Sequence, residues 1–265
     1  MSYQTKTEDT PKKDPLHNSK PTKWSLVLDG LTPYKDAHEL QVALVQARRD
    51  GLNRDIFLCL EHPPVFTLGR RGGLGGLKVP EDFLKSQGID IVHVERGGDI
   101  TYHGPGQIVL YPIVDLRFSG LSVVDYVTAL EEVMIRTAAD WSISAERNHL
   151  NRGVWVGQRK LGSVGIAVRR SVTFHGIALN VNTILEHFGW IDPCGLKGIS
   201  AASMAQLHGS PIDMCEVRRS LLVHVEDVFG AGLAPIGLEE VREMLDNEPQ
   251  NVGHRIPGVE PEKTH

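Results

Sequence analysis

Residues 153–182 read GVWVGQRKLGSVGIAVRRSVTFHGIALNVN. Three apolar runs, GVWVG, KLGSVGIAV and SVTFHGIALNVN, are separated by the polar pairs Gln158–Arg159 and Arg169–Arg170. Short apolar runs bounded by turn residues predict a β-meander. Further strands are predicted at WSLVLDG from Trp24, at Ile56–His62, in the short PPVFTLG segment, at Asp90–Glu95 and at Ile108–Leu116. Helical spacing appears from Tyr34 to Asp50, through Ala37, Leu40, Leu44 and Ala47, with Gly51 as the stop. Pro80–Gln87 reads as a short helix. A long helix begins at Ser122, with Asp125 as a weak capping box and an apolar face of Val123, Val127, Leu130, Met134 and Ala138. Two more helices follow at about Ile212–Phe229 and Leu238–Asn247. The reading is one α+β domain with a mixed β-sheet over residues 23–234. A polar, disordered tail (1–22) precedes it, and a helix with an acidic tail (235–265) follows.

Composition narrows the chemistry. The 265 residues carry 28 Lys+Arg and 33 Asp+Glu, a formal charge of −5, which excludes a globally basic nucleic-acid binder. Cys59, Cys194 and Cys215 form no C-x-x-C pair, so neither a disulfide framework nor a structural zinc site is expected. A reducing, cytoplasmic setting fits this cysteine usage. The first twenty residues hold no apolar core of a signal peptide, and no run approaches the ~18 apolar residues of a membrane span. The histidines show no H-x-x-x-H pair, so a zinc hydrolase is not expected, and no metal is assigned.

Two segments concentrate reactive residue types. Arg96-Gly97-Gly98-Asp99-Ile100-Thr101-Tyr102-His103-Gly104-Pro105-Gly106-Gln107 reads as a glycine-rich loop whose backbone approaches a ligand closely. It matches neither a Walker A loop nor a dinucleotide fingerprint, and a tight connection between strands is the alternative. The second segment is Asp192-Pro193-Cys194-Gly195-Leu196-Lys197-Gly198, where Pro and Gly put the thiol in a turn. Cys194 is either a nucleophile or an inert loop residue, whereas Cys59 and Cys215 read as packing. A nucleophilic thiol needs a cation beside it, because free cysteine has a pKa of about 8.5. Lys160, Lys197 and His103 are the candidates, and a lysine on a hairpin is otherwise simply solvated. Arg147–Leu185 contains six Lys/Arg and no acid, where about five acids are expected at average composition. Such a span is either a docking face for acidic partners or a set of solvated hairpin arginines.

The blocks RGGDITYHGPGQIVLYPIVDL (96–116), GVWVGQRKLGSVGIAVRRSVTFHGIALNVN (153–182) and DPCGLKGISAASM (192–204), with EHPPVFTLGRRGG (61–73), resemble the lipoyl(octanoyl) transferase family. The resemblance implies a biotin/lipoate protein ligase-like fold. It implies transfer of an octanoyl group from acyl carrier protein to a specific lysine of lipoyl domains, those of 2-oxoacid dehydrogenase complexes and of the glycine cleavage H protein. It puts the acyl-thioester on Cys194 and the lysine that lowers the thiol pKa on Lys160. The acyl site maps to Arg96, Gly97, Gly98, Asp99, Ile100, Thr101, Tyr102 and His103, to Ser163, Val164 and Gly165, and to Gly176, Ile177 and Ala178. Asp99 and Val164 fall where the family varies. No cofactor, nucleic acid or membrane is implied. The competing readings are an ATP-dependent lipoate or biotin protein ligase, an octanoyl amidotransferase, and a lipoyl-domain binding module without activity.

Overall fold

The computed structural model describes residues 22–148, 151–192, 200–230 and 232–247, with backbone alone for 22–29. The polar tail before Thr22, the acidic tail after Asn247 and the Cys194 segment lie outside the described residues.

Secondary structure runs β1 (Thr22–Leu31), α1 (Tyr34–Asp50), β2 (Arg54–Glu61), β3 (Val65–Leu68), α2 (Glu81–Ser86), β4 (Asp90–His93), β5 (Ile100–His103) and β6 (Gln107–Ile113). It continues α3 (Leu116–Ser119), α4 (Val123–Ala139), β7 (Glu146–Arg147), β8 (Gly153–Val156), β9 (Arg159–Arg169) and β10 (Val172–Asn180). The last elements are β11 (Ser200–Ala201), α5 (Met204–His208), α6 (Met214–Phe229), β12 (Ala234–Pro235) and α7 (Leu238–Asn247). Short 3-10 turns lie at Leu74–Gly76 and Leu185–Trp190.

The larger sheet has the order β12-β1-β2-β6-β10-β9-β8-β7, with β11 added beside β9. Pairing is parallel at β12–β1, β1–β2 and β11–β9, and antiparallel elsewhere, so the sheet is mixed. The meander β8–β9–β10 forms as the sequence predicts, with its turns one residue away from the expected pairs. Gly157–Gln158 makes the first and Arg170–Ser171 the second, where both residues have positive φ (47° and 69°). A smaller sheet, β4-β3-β5, carries the glycine loop.

Every residue of β6 and β10 is buried, which explains why these strands read as continuous apolar runs instead of alternating ones. One core lies between the sheet and α4 and α6, and contains Leu110, Leu130, Met134, Leu161, Leu179 and Leu221. A second lies on the opposite face under α1 and α7, around Leu44, Leu58, Tyr111 and Val241. A third fills the small sheet with Phe66, Leu84 and Tyr102.

Three expectations change. The segment read as an irregular loop holds strand β5, because Ile100 and Tyr102 are buried in the third core while β3 supplies a partner edge. The short helices α3 and α5 carry too few residues for a periodic signal. Val123 is exposed in α4, and Tyr126, Val133 and Thr137 join its buried face instead. The Ser122 cap forms as expected: its Oγ accepts from the Asp125 backbone N–H at 3.1 Å and donates to the Asp125 carboxylate at 2.6 Å.

Candidate active site

A cavity of about 1020 Å³ opens between the Arg96–Thr101 loop, β9, β10 and α4. Its walls include Arg96–Thr101, His103, Lys160, Ser163–Ile166 and His175–Ala178.

The two predicted triplets face each other across the β9–β10 ladder. Gly165 pairs with Gly176, Val164 with Ile177 and Ser163 with Ala178. Two facing glycines leave the wall without side chains at that rung. Gly176 is also a steric requirement, since a Cβ there would collide with the Leu110 carbonyl of neighbouring β6.

The glycine loop is braced from below. Arg96 is buried; its Nη2 donates to Thr67 O (2.6 Å) and to Thr67 Oγ1 (2.8 Å), and its Nη1 donates to Gly97 O (3.1 Å). The Gly97 N–H donates to Ile166 O at 2.8 Å and so is spent on holding the loop against β9. It is therefore not available as an oxyanion donor in this conformation.

On β5, Thr101 and His103 line the cavity. Tyr102 points the other way, packing on Phe66 and Phe188 with ring centroids at 5.3 and 5.4 Å. Burial first, then the neighbouring His62, holds the His103 pKa well below the usual imidazole range. Its Nδ1 lies 2.7 Å from Gln107 Oε1; Gln107 Nε2 donates to Asn180 Oδ1 at 2.9 Å, and Asn180 Nδ2 donates to Ala202 O at 3.0 Å. This relay joins the glycine-loop strand to the chain that follows the cysteine segment.

Lys160 stands near the start of β9, opposite Trp155 on β8. Its Nζ donates to Asn151 Oδ1 at 3.1 Å and lies 5.4 Å from the Trp155 ring centroid. A Cβ at Gly153 would come within 2.8 Å of Lys160 Cε, so the lysine stem runs over bare backbone. Strand β11 joins β9 at this point, with Ala201 in register with Lys160 and the Ala202 N–H donating to Lys160 O at 2.9 Å. Cys194 and Lys197 lie outside the described residues. The chain leaves toward them from Asp192, whose carboxylate is 3.3 Å from Lys78 Nζ, and returns at Ser200.

The acid-free Arg147–Leu185 span meets its acids from elsewhere. Arg147 and Arg152 approach the buried Glu131 of α4 at 3.5 and 3.2 Å, and Arg147 also pairs with Glu132 at 2.7 Å. Arg169 lies 3.4 Å from Glu95. Glu131 also accepts from the Gly153 N–H at 2.8 Å, which fixes the connection beneath Lys160.

Several cavity residues carried no sequence signal: Tyr34, Tyr111, Glu131, Asn151, His175 and Asn180. They come from five separate segments, with His175 and Asn180 sharing β10, and no spacing rule links the segments.

The fold and cavity place the chain in a defined class. The Lipoyl protein ligase A/B catalytic domain family matches residues 33–226, and the chain belongs to it. Within that class its curated relatives are octanoyltransferases. That of Desulfotalea psychrophila is 52% identical over 204 residues, covering 76% of this chain and 92% of the relative. That of Syntrophobacter fumaroxidans is 47% identical over 218 residues, covering 82% and 96%. Among solved structures, lipoate-protein ligase A bound with ATP superposes with a TM-score of 0.67 at 17% identity, over 85% of this chain and 95% of that one. A bi-partite lipoate protein ligase from Thermoplasma acidophilum gives 0.65 at 17%, over 86% and 93%. At these identities the structures establish the shared α+β mixed-sheet fold, and the relatives establish the octanoyltransferase family.

Proposed function

We propose that the chain transfers an octanoyl group from octanoyl-acyl carrier protein to the ε-amine of a specific lysine on a lipoyl domain, through an acyl-thioester on Cys194. The acceptors are lipoyl domains of 2-oxoacid dehydrogenase complexes and the glycine cleavage H protein, and the compartment is the cytoplasm. The observation that carries this reading is a single cavity shared by Lys160, the glycine loop and the facing Ser163–Gly165 and Gly176–Ala178 triplets.

Lys160, as ammonium, favours the Cys194 thiolate by opposite charge. The thiolate attacks the donor thioester carbonyl, the bond from that carbonyl to the carrier sulfur breaks, and the departing carrier thiolate takes a proton from the Lys160 ammonium, leaving Cys194 acylated and Lys160 a neutral amine. Acylation removes the thiolate charge, which lowers the ammonium pKa. Lys160 then takes the proton from the acceptor lysine as that amine attacks. An amide replaces a thioester, a downhill exchange that needs no ATP and no cofactor. Arg96–Thr101 and the facing triplets contact the acyl chain. His103, neutral and fixed by Gln107, orients the reacting carbonyl. Tyr102 supports the loop from the third core.

The test is intact-protein mass spectrometry after incubation with octanoyl-carrier protein. A hydroxylamine-labile adduct on wild type and none on Cys194→Ala is expected. An adduct that persists in the alanine variant removes Cys194 from the mechanism. The ligase reading, raised by the shared fold, predicts instead that modification of a lipoyl domain requires ATP and free octanoate, and survives Cys194→Ser.

A further inference from the structure

Outside the proposed acyl chemistry, three side chains from distant segments converge at the edge of the cavity, where His175 belongs to its wall: His38 on α1, Glu95 after β4 and His175 on β10. We propose that they form a binding site for one zinc-class divalent cation. Their ligand atoms all lie within 4.8 Å of one another. His38 Nε2 is 2.9 Å and His175 Nε2 3.6 Å from the same carboxylate oxygen, Glu95 Oε2. Ligands held at about 2.0–2.1 Å in a tetrahedral zinc site are about 3.3 Å apart, so small side-chain adjustments admit an ion.

The second observation is His175 itself. It is 1% exposed, and its Nε2, turned toward Glu95, has no hydrogen-bond partner. Its other nitrogen, Nδ1, faces Tyr34 Oη at 3.4 Å. An Nδ1–H donated to that oxygen leaves the Nε2 lone pair for a metal, which is the orientation that metal-bound histidines take from an outer partner. Helix α1 grips the same residue, since Gln41 Oε1 accepts the His175 backbone N–H at 2.8 Å. His175 keeps a positive φ of 54° there, which a non-glycine residue adopts at a cost.

Two imidazoles and one carboxylate are a zinc-type donor set with a position left open. His38 and Glu95 are partly exposed, so an ion has a path in. Arg169, 3.4 Å from Glu95 Oε1, opposes a cation electrostatically but also holds that oxygen aside, leaving Oε2 for the ion. Binding turns His38 Nε2 from a hydrogen-bond partner of Glu95 into a ligand, with the single imidazole N–H on Nδ1. A bound ion then ties α1, the root of the glycine loop and the cavity strand β10 together.

The test titrates the full-length chain with Zn²⁺ and separately with Co²⁺, following calorimetry, thermal midpoint and visible absorption. One ion per chain is expected, with Co²⁺ d–d bands, no thiolate charge-transfer band, and a raised midpoint reversed by EDTA. His38→Ala and Glu95→Gln, checked for native circular dichroism, should each weaken uptake more than about tenfold. No uptake by wild type, equal uptake by both variants, or a thiolate-dominated Co²⁺ spectrum overturns the proposal.

Discussion

Among the contacts that hold Lys160 are an amide oxygen on Asn151, the face of Trp155, and the bare backbone at Gly153. Contact with the Trp155 ring face favours a cation at this position. Lys160→Ala should slow acylation of Cys194 by about 10²–10⁴-fold. In the same variant, the pH profile of thiol alkylation should move toward the free-cysteine value of about 8.5. An unmoved profile would separate Lys160 from the thiol. A second residue-scale outcome concerns His62, buried between Thr32 O (2.7 Å) and Tyr111 Oη (2.8 Å), with burial pushing its pKa down to about 4. The unfolded chain protonates this residue near 6.5, so between pH 6.5 and 4 the unfolded state binds more protons. Stability is therefore fully present above pH 6.5 and falls as pH drops through that window, by about 3 kcal/mol from this group. Urea midpoints should show a shallower acid slope in His62→Gln than in wild type. At this scale, residue type and turn context singled out Cys194 and left Lys160 as one of three candidate cations, and the resemblance alone assigned their roles; Cys194 lies outside the described residues. Asn151, His175 and Glu131 were not legible, because their roles arise from contacts between segments that local spacing does not encode.

Among the elements, the meander and the long helices were legible because each buries a continuous or periodic apolar face, the signal that hydrophobic patterning carries. Strand β5 was hidden by the glycines around it, and α3 and α5 by their brevity. The helix ends make quantitative predictions. Ser122→Ala removes the oxygen that caps α4 and should cost about 1 kcal/mol in urea denaturation. Helix α1 is locked by a buried ion pair, Arg48 Nε to Asp55 Oδ1 at 3.1 Å, with both side chains under 5% exposed. Arg48→Ala leaves the Asp55 charge buried and should cost about 3–5 kcal/mol. Arg48→Met with Asp55→Leu should recover most of that loss, since the pair is replaced by apolar volume. A double variant as unstable as the single one would mean that the arginine acts through Leu52 O, to which Nη1 donates at 2.8 Å.

Taken as a whole, the molecule spends three of the six basic residues of its acid-free segment on its own acids. Arg147, Arg152 and Arg169 find Glu131, Glu132 and Glu95 across the fold. This could not be read from the segment, because the compensating charges lie on α4 and after β4. Arg70 and Arg71 are different: exposed, without an ion pair among the described residues, and with Arg71 at the cavity edge. For the carrier-protein donor proposed above, an exposed cationic pair beside the cavity would steer an acidic partner face. Arg70→Glu with Arg71→Glu should raise KM for the octanoyl carrier about tenfold at low salt, with kcat kept and the difference shrinking as salt rises. A change in kcat alone would point to the loop backbone instead. Finally, the register of Ala201 on Lys160 makes the return of the cysteine segment and the lysine's strand neighbours on one hydrogen-bonded rung. A donor that pushes this stretch outward must therefore drag the lysine's backbone with it or break the rung. Amide exchange at Ala202 would report which of the two happens during turnover.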